Sequence, residues 1–273
     1  MINVNILIWK GVDVKLVAKI DRKGEKNYNT FGSEMIIIEY RNVHDIDVYF
    51  PEYDWTAKNK TYNNFKKGAI SCPYEKTVCD VGYIGEGKYK VSENGKNTKG
   101  YKAWHRMLQR CYYDKFHKRN PTYIDCKVCE EWLNFQNFAE WYEKNYYEVE
   151  GETMCLDKDI LVKHNKIYST DTCIYVPQTI NLLFTKNNSK RGESVIGTSL
   201  FQGKYVVRCH LINPKTGKSK GEYLGRYDTQ EKAFEVYKYH KEKNIKEVAN
   251  YFKGQIPSEL YDGMCAYEVE ITD

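Results

Sequence analysis

Basic residues at alternate positions of a short strand are the pattern in this sequence that most directly implies chemistry. In GKYVVRCHLI (203–212) a two-residue period places Tyr205, Val207, Cys209 and Leu211 on one face and Lys204, Val206, Arg208 and His210 on the other. A helix packed on the first set leaves the second free to lie in a major groove, where an arginine can reach guanine with two hydrogen bonds. Arg208, His210 and, in the next strand, Arg226 are therefore the candidates for reading bases. Lys215, Lys218 and Lys220, in the intervening turn, are expected to touch phosphate alone. Between 186 and 226 nine bases, among them Lys190 and Arg191, stand against two acids, Glu193 and Glu222, so the stretch carries +7. A charge that strong on a small module favours a polyanionic ligand.

Thiols offer a second chemistry. Cys126 and Cys129 form C-x-x-C, but structural zinc takes four ligands, and no second close cysteine pair or nearby H-x-x-x-H follows. Cys72 and Cys79 do not match a zinc-knuckle spacing. Because Cys129 leads into the aromatic stripe Trp132, Phe135, Phe138 and Trp141, buried cysteine is the expected role. The glycines of GYIGEGKY (82–89) have the wrong spacing for a phosphate loop and precede no helix, so turns are expected there.

Gly197, Gly203-Lys204-Tyr205, Leu224-Gly225, Tyr227-Asp228-Thr229 and Ala233 follow in an order and spacing that resembles the plant ethylene-response-factor (AP2-like) DNA-binding domain, which also occurs in phage proteins. The resemblance implies a three-stranded antiparallel sheet packed on one helix, with duplex DNA as partner. Tyr205 and Tyr223 stand where that family usually has tryptophan, and Tyr223 joins Lys190, Arg191, Lys204, Arg208, His210, Lys215, Lys218, Lys220 and Arg226 as a candidate contact. The segment MCLDKDILVKHNKIYSTDTCIYVPQTIN (154–181) resembles the phage HNH-type pattern, with Asp157, Asn165, Asp171 and Asn181 on its polar positions. That likeness implies Asp157 as metal ligand and His164, Asn165 and Asn181 as catalytic companions, with magnesium or manganese as the ion if the segment cleaves DNA. The family's histidine base is replaced by Leu156, immediately before Asp157, which implies absent or very slow cleavage. Binding alone requires no cofactor. Taken together, SEMIIIEYRNVHDIDVYF, YKAWHRMLQRCYY and the C-terminal module resemble accessory proteins of phages of Gram-positive bacteria. The implied function is DNA binding by a phage-type protein related to HNH homing endonucleases. The alternatives are a metal-dependent nicking enzyme and an anti-defence protein that inhibits a host nuclease, since acidic surfaces can imitate DNA.

The elements that must hold these residues can be read from periodicity. The chain is expected to be α+β, in four stretches. Residues 1–98 read as a small β-rich, barrel-like domain, with a hairpin or meander over Gly32–Tyr53. Residues 99–185 read as two amphipathic helices followed by the HNH-like ββα segment. Residues 186–253 form the strand-and-helix module, whose helix starts at an Asp228 cap with Glu231 three residues on. Residues 254–273 read as an acidic tail with Glu259, Asp262, Glu268, Glu270 and Asp273 and no base. No apolar run nears the ~20 residues of a membrane span, and MINVNILIWKGVDVK lacks the basic-then-apolar order of a secretory signal. A cytoplasmic location, in an infected or lysogenic bacterial host, is therefore expected. Reduced thiols suit the nine cysteines there.

Overall fold

The computed structural model describes residues 20–185 and 194–272. The fold is α+β, and the chain divides into two compact units between Gly87 and Lys88. The expected boundaries at 98/99, 185/186 and 253/254 differ from this division, because the cores described below run across the last two of them.

In the first unit, β1 (Lys26–Tyr28), β2 (Glu34–Asn42), β3 (Asp45–Phe50) and β4 (Trp55–Lys60) form an antiparallel sheet in the order β1-β2-β3-β4. Among the described strands this is a meander in which β1 and β4 do not pair, rather than the expected barrel. Alternation explains the one-sided core: Met35 and Ile37 from β2 and Ile46, Val48 and Phe50 from β3 are buried, with Ala57 of β4 completing the row. Helix α1 (Tyr62–Lys66) begins at Thr61, whose hydroxyl accepts from Asn64 N at 3.2 Å, and it drops Phe65 onto that face. Gly68 is required where it stands: its φ is +65°, and a Cβ would come 2.8 Å from the Tyr28 carbonyl. The glycine-containing stretch beyond it forms no strands at 68–70 or 81–84, and Val78 and Gly82 make an isolated bridge. Its anchor is polar instead: buried Glu75 accepts from the Asn29 amide and from Cys72 N, the latter at 3.0 Å.

The second unit opens with the hairpin β5 (Ser92–Glu93) and β6 (Lys96–Asn97), turned by Asn94 and Gly95, both at positive φ. Helix α2 (Lys99–Tyr112) buries Trp104, Met107, Leu108 and Cys111, the 3.6-residue stripe expected of it. The short α3 (Asp114–His117) and β7 (Lys127–Val128) lead to α4 (Phe135–Asn145), which packs on α2 with Phe135 against Tyr101 and Trp104. Trp132 precedes α4 on a single 3-10 turn, and its carbonyl accepts from Trp104 Nε1 at 2.7 Å. Strand β8 (Met154–Asp157) pairs antiparallel with β10 (Ile174–Pro177), while β9 (Ile167–Tyr168), in the connection, runs parallel to β7. Helix α5 (Gln178–Phe184) follows β10 directly, so the segment is a β-hairpin capped by a helix.

Strands β11 (Thr198–Phe201), β12 (Lys204–Ile212) and β13 (Ser219–Tyr227) form the expected three-stranded antiparallel sheet, with α6 (Gln230–Tyr251) against it. Ala233 and Tyr237 of α6 meet Val207 and Cys209. Gly197 must be glycine here, because at φ +73° a Cβ would fall 2.0 Å from the Tyr237 ring. The helix cap is Thr229, which accepts from Lys232 N at 3.2 Å; Asp228 turns outward to Lys204 instead. Toward its C-terminal end α6 contributes Ile245, Val248 and Ala249 to a second core, shared with Ile212 of β12 and with Val176, Ile180 and Leu183. The stretch expected to be an acidic tail also enters these cores. Helix α7 (Ser258–Cys265) buries Leu260 and Met264, Val269 packs under the sheet, and Glu270 pairs with Lys163 at 2.9 Å. No described helix is long and apolar enough to cross a membrane.

Asn244 fastens the sheet to the helix. Its amide donates to Ile212 O at 2.9 Å and its oxygen accepts from Ile212 N at 2.8 Å, and the residue is buried. Asn244→Ala is expected to cost about 1–3 kcal/mol, since two buried backbone groups lose their partners. Urea unfolding checks this; a midpoint unchanged from wild type would mean that water replaces the amide without cost.

Candidate nucleic-acid interface

The face of the sheet turned away from α6 gathers the predicted base readers. Pairing sets Val206 beside Ser199 on one side and Arg226 on the other, Arg208 opposite Tyr223, and His210 opposite Gly221. The expected alternation in β12 holds from Val207 to His210, with Val207 and Cys209 at 0% exposure and Arg208 and His210 exposed, but Val206, expected on the free face, is buried between Ser199 and Arg226. In β13 alternation alone would separate Tyr223 from Arg226, three positions apart. A bulge between the pairs Val207–Gly225 and Arg208–Tyr223 inserts Leu224 as an extra residue, with Gly225 at φ +121°. That extra residue restores the parity. Tyr223, 59% exposed, therefore shares the outer face with Arg208 and Arg226.

Each cation on this face has a definite setting. Arg226 donates to Phe201 O at 3.2 Å and lies 5.6 Å from the Phe201 ring centre, which holds its guanidinium over β11. Lys204 pairs with Asp228 at 2.9 Å, an exposed contact that water screens. Gly221 makes room for the His210 ring, since a Cβ there would stand 3.3 Å from it. Arg208 has no hydrogen-bond or ion-pair partner among the described residues. Phe201, 57% exposed and paired with Lys204, belongs to the same face and escaped the sequence reading. Its signal was the Gln202-Gly203 turn, at positive φ in both residues, which fixes the register of β11 on β12.

Lys215 and Lys218 occupy the turn between β12 and β13, where Asn213 N donates to Lys218 O at 3.0 Å. Lys220 is not in that turn: it lies within β13, opposite Leu211. Lys190, Arg191 and Asp273 lie outside the described residues.

The HNH-like segment brings its four named residues to one place. Asp157, His164, Asn165 and Asn181 all line an open cleft of about 510 Å³. Asp157 ends β8, and its Oδ1 accepts from the backbone of Asp159 at 2.9 Å and of Ile160 at 2.8 Å. Burial, with the charge of Asp159 beside it, pushes its carboxyl up to about 6. Asn165 donates to the carbonyls of Lys158 and Ile167, each at 2.7 Å, so both of its amide donors serve to close the loop between β8 and β9. His164 is exposed at φ +61°, and Asn181 reaches the cleft from α5. Among the described residues no group of three or more His, Cys, Asp or Glu could share a metal ion. Lys158 and Lys166 line the same cleft. Asp157 and Asp159 are the two carboxyl groups that line this cleft.

The C-x-x-C pair is separated in character rather than convergent. Cys126 is buried and Cys129 half-buried; burial raises both thiols, Cys129 to about 11, and neither is set up as a thiolate. Comparison with protein families, with curated proteins and with solved structures returns no match.

Proposed function

We propose that this protein binds duplex DNA through the outer face of the β11–β13 sheet, as a cytoplasmic protein of a phage or related mobile element. The observation that carries the reading is the joint exposure of Arg208, His210, Tyr223 and Arg226 on one face, opposite the helix that fills the other. A sheet face of this width can lie in a major groove, with arginines at base edges and aromatics against base methyl groups. Lys215 and Lys218, at the rim, suit phosphate. The likeness to the ethylene-response-factor domain supports the same use of the same face. Cleavage is not part of the reading, because Leu156 stands where the HNH likeness would place a histidine base beside Asp157.

Selection from a randomised duplex pool with the full-length protein tests it. Wild type is expected to enrich a sequence, and Arg208→Ala to flatten that preference by the ~1–3 kcal/mol that a bidentate arginine supplies. Lys215→Ala with Lys218→Ala is expected to weaken all sequences alike. If wild type enriches nothing and binds no duplex, a protein partner such as a host nuclease becomes the better reading.

A further inference from the structure

The surroundings of Lys158 are those of a ligand site. The residue is buried, 7% exposed, at the start of the loop after β8. An ammonium has three donors and is costly to bury without acceptors. Among the described residues its one ion pair is with Asp159 at 3.4 Å, long for a charged hydrogen bond, and Asp159 is itself half in solvent. The Tyr168 ring lies 5.8 Å away, near the limit of a cation–π contact. Lys158 opens into a polar pocket of about 70 Å³, which adjoins the larger cleft through Asp157, Asp159 and Asn181.

Arg110 reaches the same pocket from α2. Burial works against its charge, and the neighbouring hydroxyls of Tyr168 and Tyr123 more than offset that, so the guanidinium stays charged. Two cations thus converge on a space large enough for several waters or one tetrahedral oxyanion. Asp157 and Asp159 line it as well. Asp157 turns one oxygen to two backbone N–H groups, and Asp159 is exposed to water. A guanidinium fork and a point-like ammonium together are the pairing that recognises phosphate.

We infer that this pocket is a binding subsite for one phosphate group, held between the Lys158 ammonium and the Arg110 guanidinium. The subsite is separate from the sheet face, and its existence does not depend on duplex binding there. A free phosphate ligand and a backbone phosphate of a nucleic acid share the required chemistry.

Titration of inorganic phosphate into the full-length protein, followed by phosphorus-31 NMR at constant ionic strength, tests the inference. Wild type is expected to broaden the phosphate resonance saturably. Lys158→Met and Arg110→Gln are each expected to weaken binding by about tenfold or more, the scale of a charged hydrogen bond. Lys144→Met, which removes an equal charge from the exposed side of α4, is expected to bind as wild type does. Should Lys158→Met fail to fold by circular dichroism, Arg110→Gln carries the same expectation. No saturable broadening with wild type overturns the inference, and so does broadening that survives both substitutions. Displacement of bound phosphate by a short duplex supports the subsite and assigns it to a nucleic-acid backbone; retention beside the duplex supports it and assigns a free phosphate ligand.

Discussion

Trp104→Ala is expected to destabilise the second unit by about 3–5 kcal/mol, the range for removing a large aromatic from a packed core. Trp104 is wholly buried in α2, with its ring centre 5.5 Å from Phe135 and 5.8 Å from Tyr101. The same substitution removes the 2.7 Å bond to the Trp132 carbonyl, which then stays buried without that donor. Since α2 also carries Arg110, loosening it disturbs the phosphate pocket as well. Trp104→Phe separates the two contributions: it keeps an aromatic ring and is expected to lose about 1–3 kcal/mol, the cost of leaving a buried acceptor unmet, together with part of the packing. Urea denaturation monitored by circular dichroism measures both. A loss under about 1 kcal/mol for the alanine variant, typical of a surface position, contradicts the packing described here.

Arg208→Glu is expected to weaken duplex binding by about a hundredfold or more at moderate salt. An arginine reaching guanine with two bonds is worth about 1–3 kcal/mol, and a carboxylate at the same point adds repulsion from the phosphates on either side. Arg208 is suited to show a large effect because no described side chain competes for it, whereas Arg226 is tethered to Phe201 and Lys204 to Asp228. The variant should fold as wild type does, because the side chain is exposed and its strand neighbours Val207 and Cys209 supply the packing. Fluorescence anisotropy with a labelled duplex reads the change. Equal affinities for Arg208→Glu and wild type would remove the outer face from the binding surface.

How much of this could be read from residues alone differs from one element to the next. The faces of β12 were legible from Val207 to His210, where a sheet covered on one side alternates, but not at Val206, which is buried beside Arg226. Tyr223 was placed by likeness alone; the alternation rule puts it on the wrong face, since a bulge at Gly225 leaves no trace in the period of the sequence. Thr229 took the cap from Asp228 because Lys204, distant in sequence, draws the aspartate outward. The acids of 254–273 masked a helix whose apolar side is only Leu260 and Met264. Asp157, His164, Asn165 and Asn181 line one cleft, and the loop geometry uses Asn165 for its own closure. Arg110 was illegible as a site residue. It sits on a helix whose periodicity announces core, and only the tertiary fold carries it to Lys158.

The most direct measurement of the central claim is the salt dependence of duplex affinity for the full-length wild-type protein. Anisotropy titrations between about 50 and 200 mM salt should show log affinity falling linearly with log salt, because each phosphate neutralised by a turn lysine releases counterions. The predicted result is saturable binding with a steep slope that becomes shallower when Lys215 and Lys218 are both replaced by alanine. No binding at the lowest salt, or an affinity indifferent to salt, contradicts the proposal.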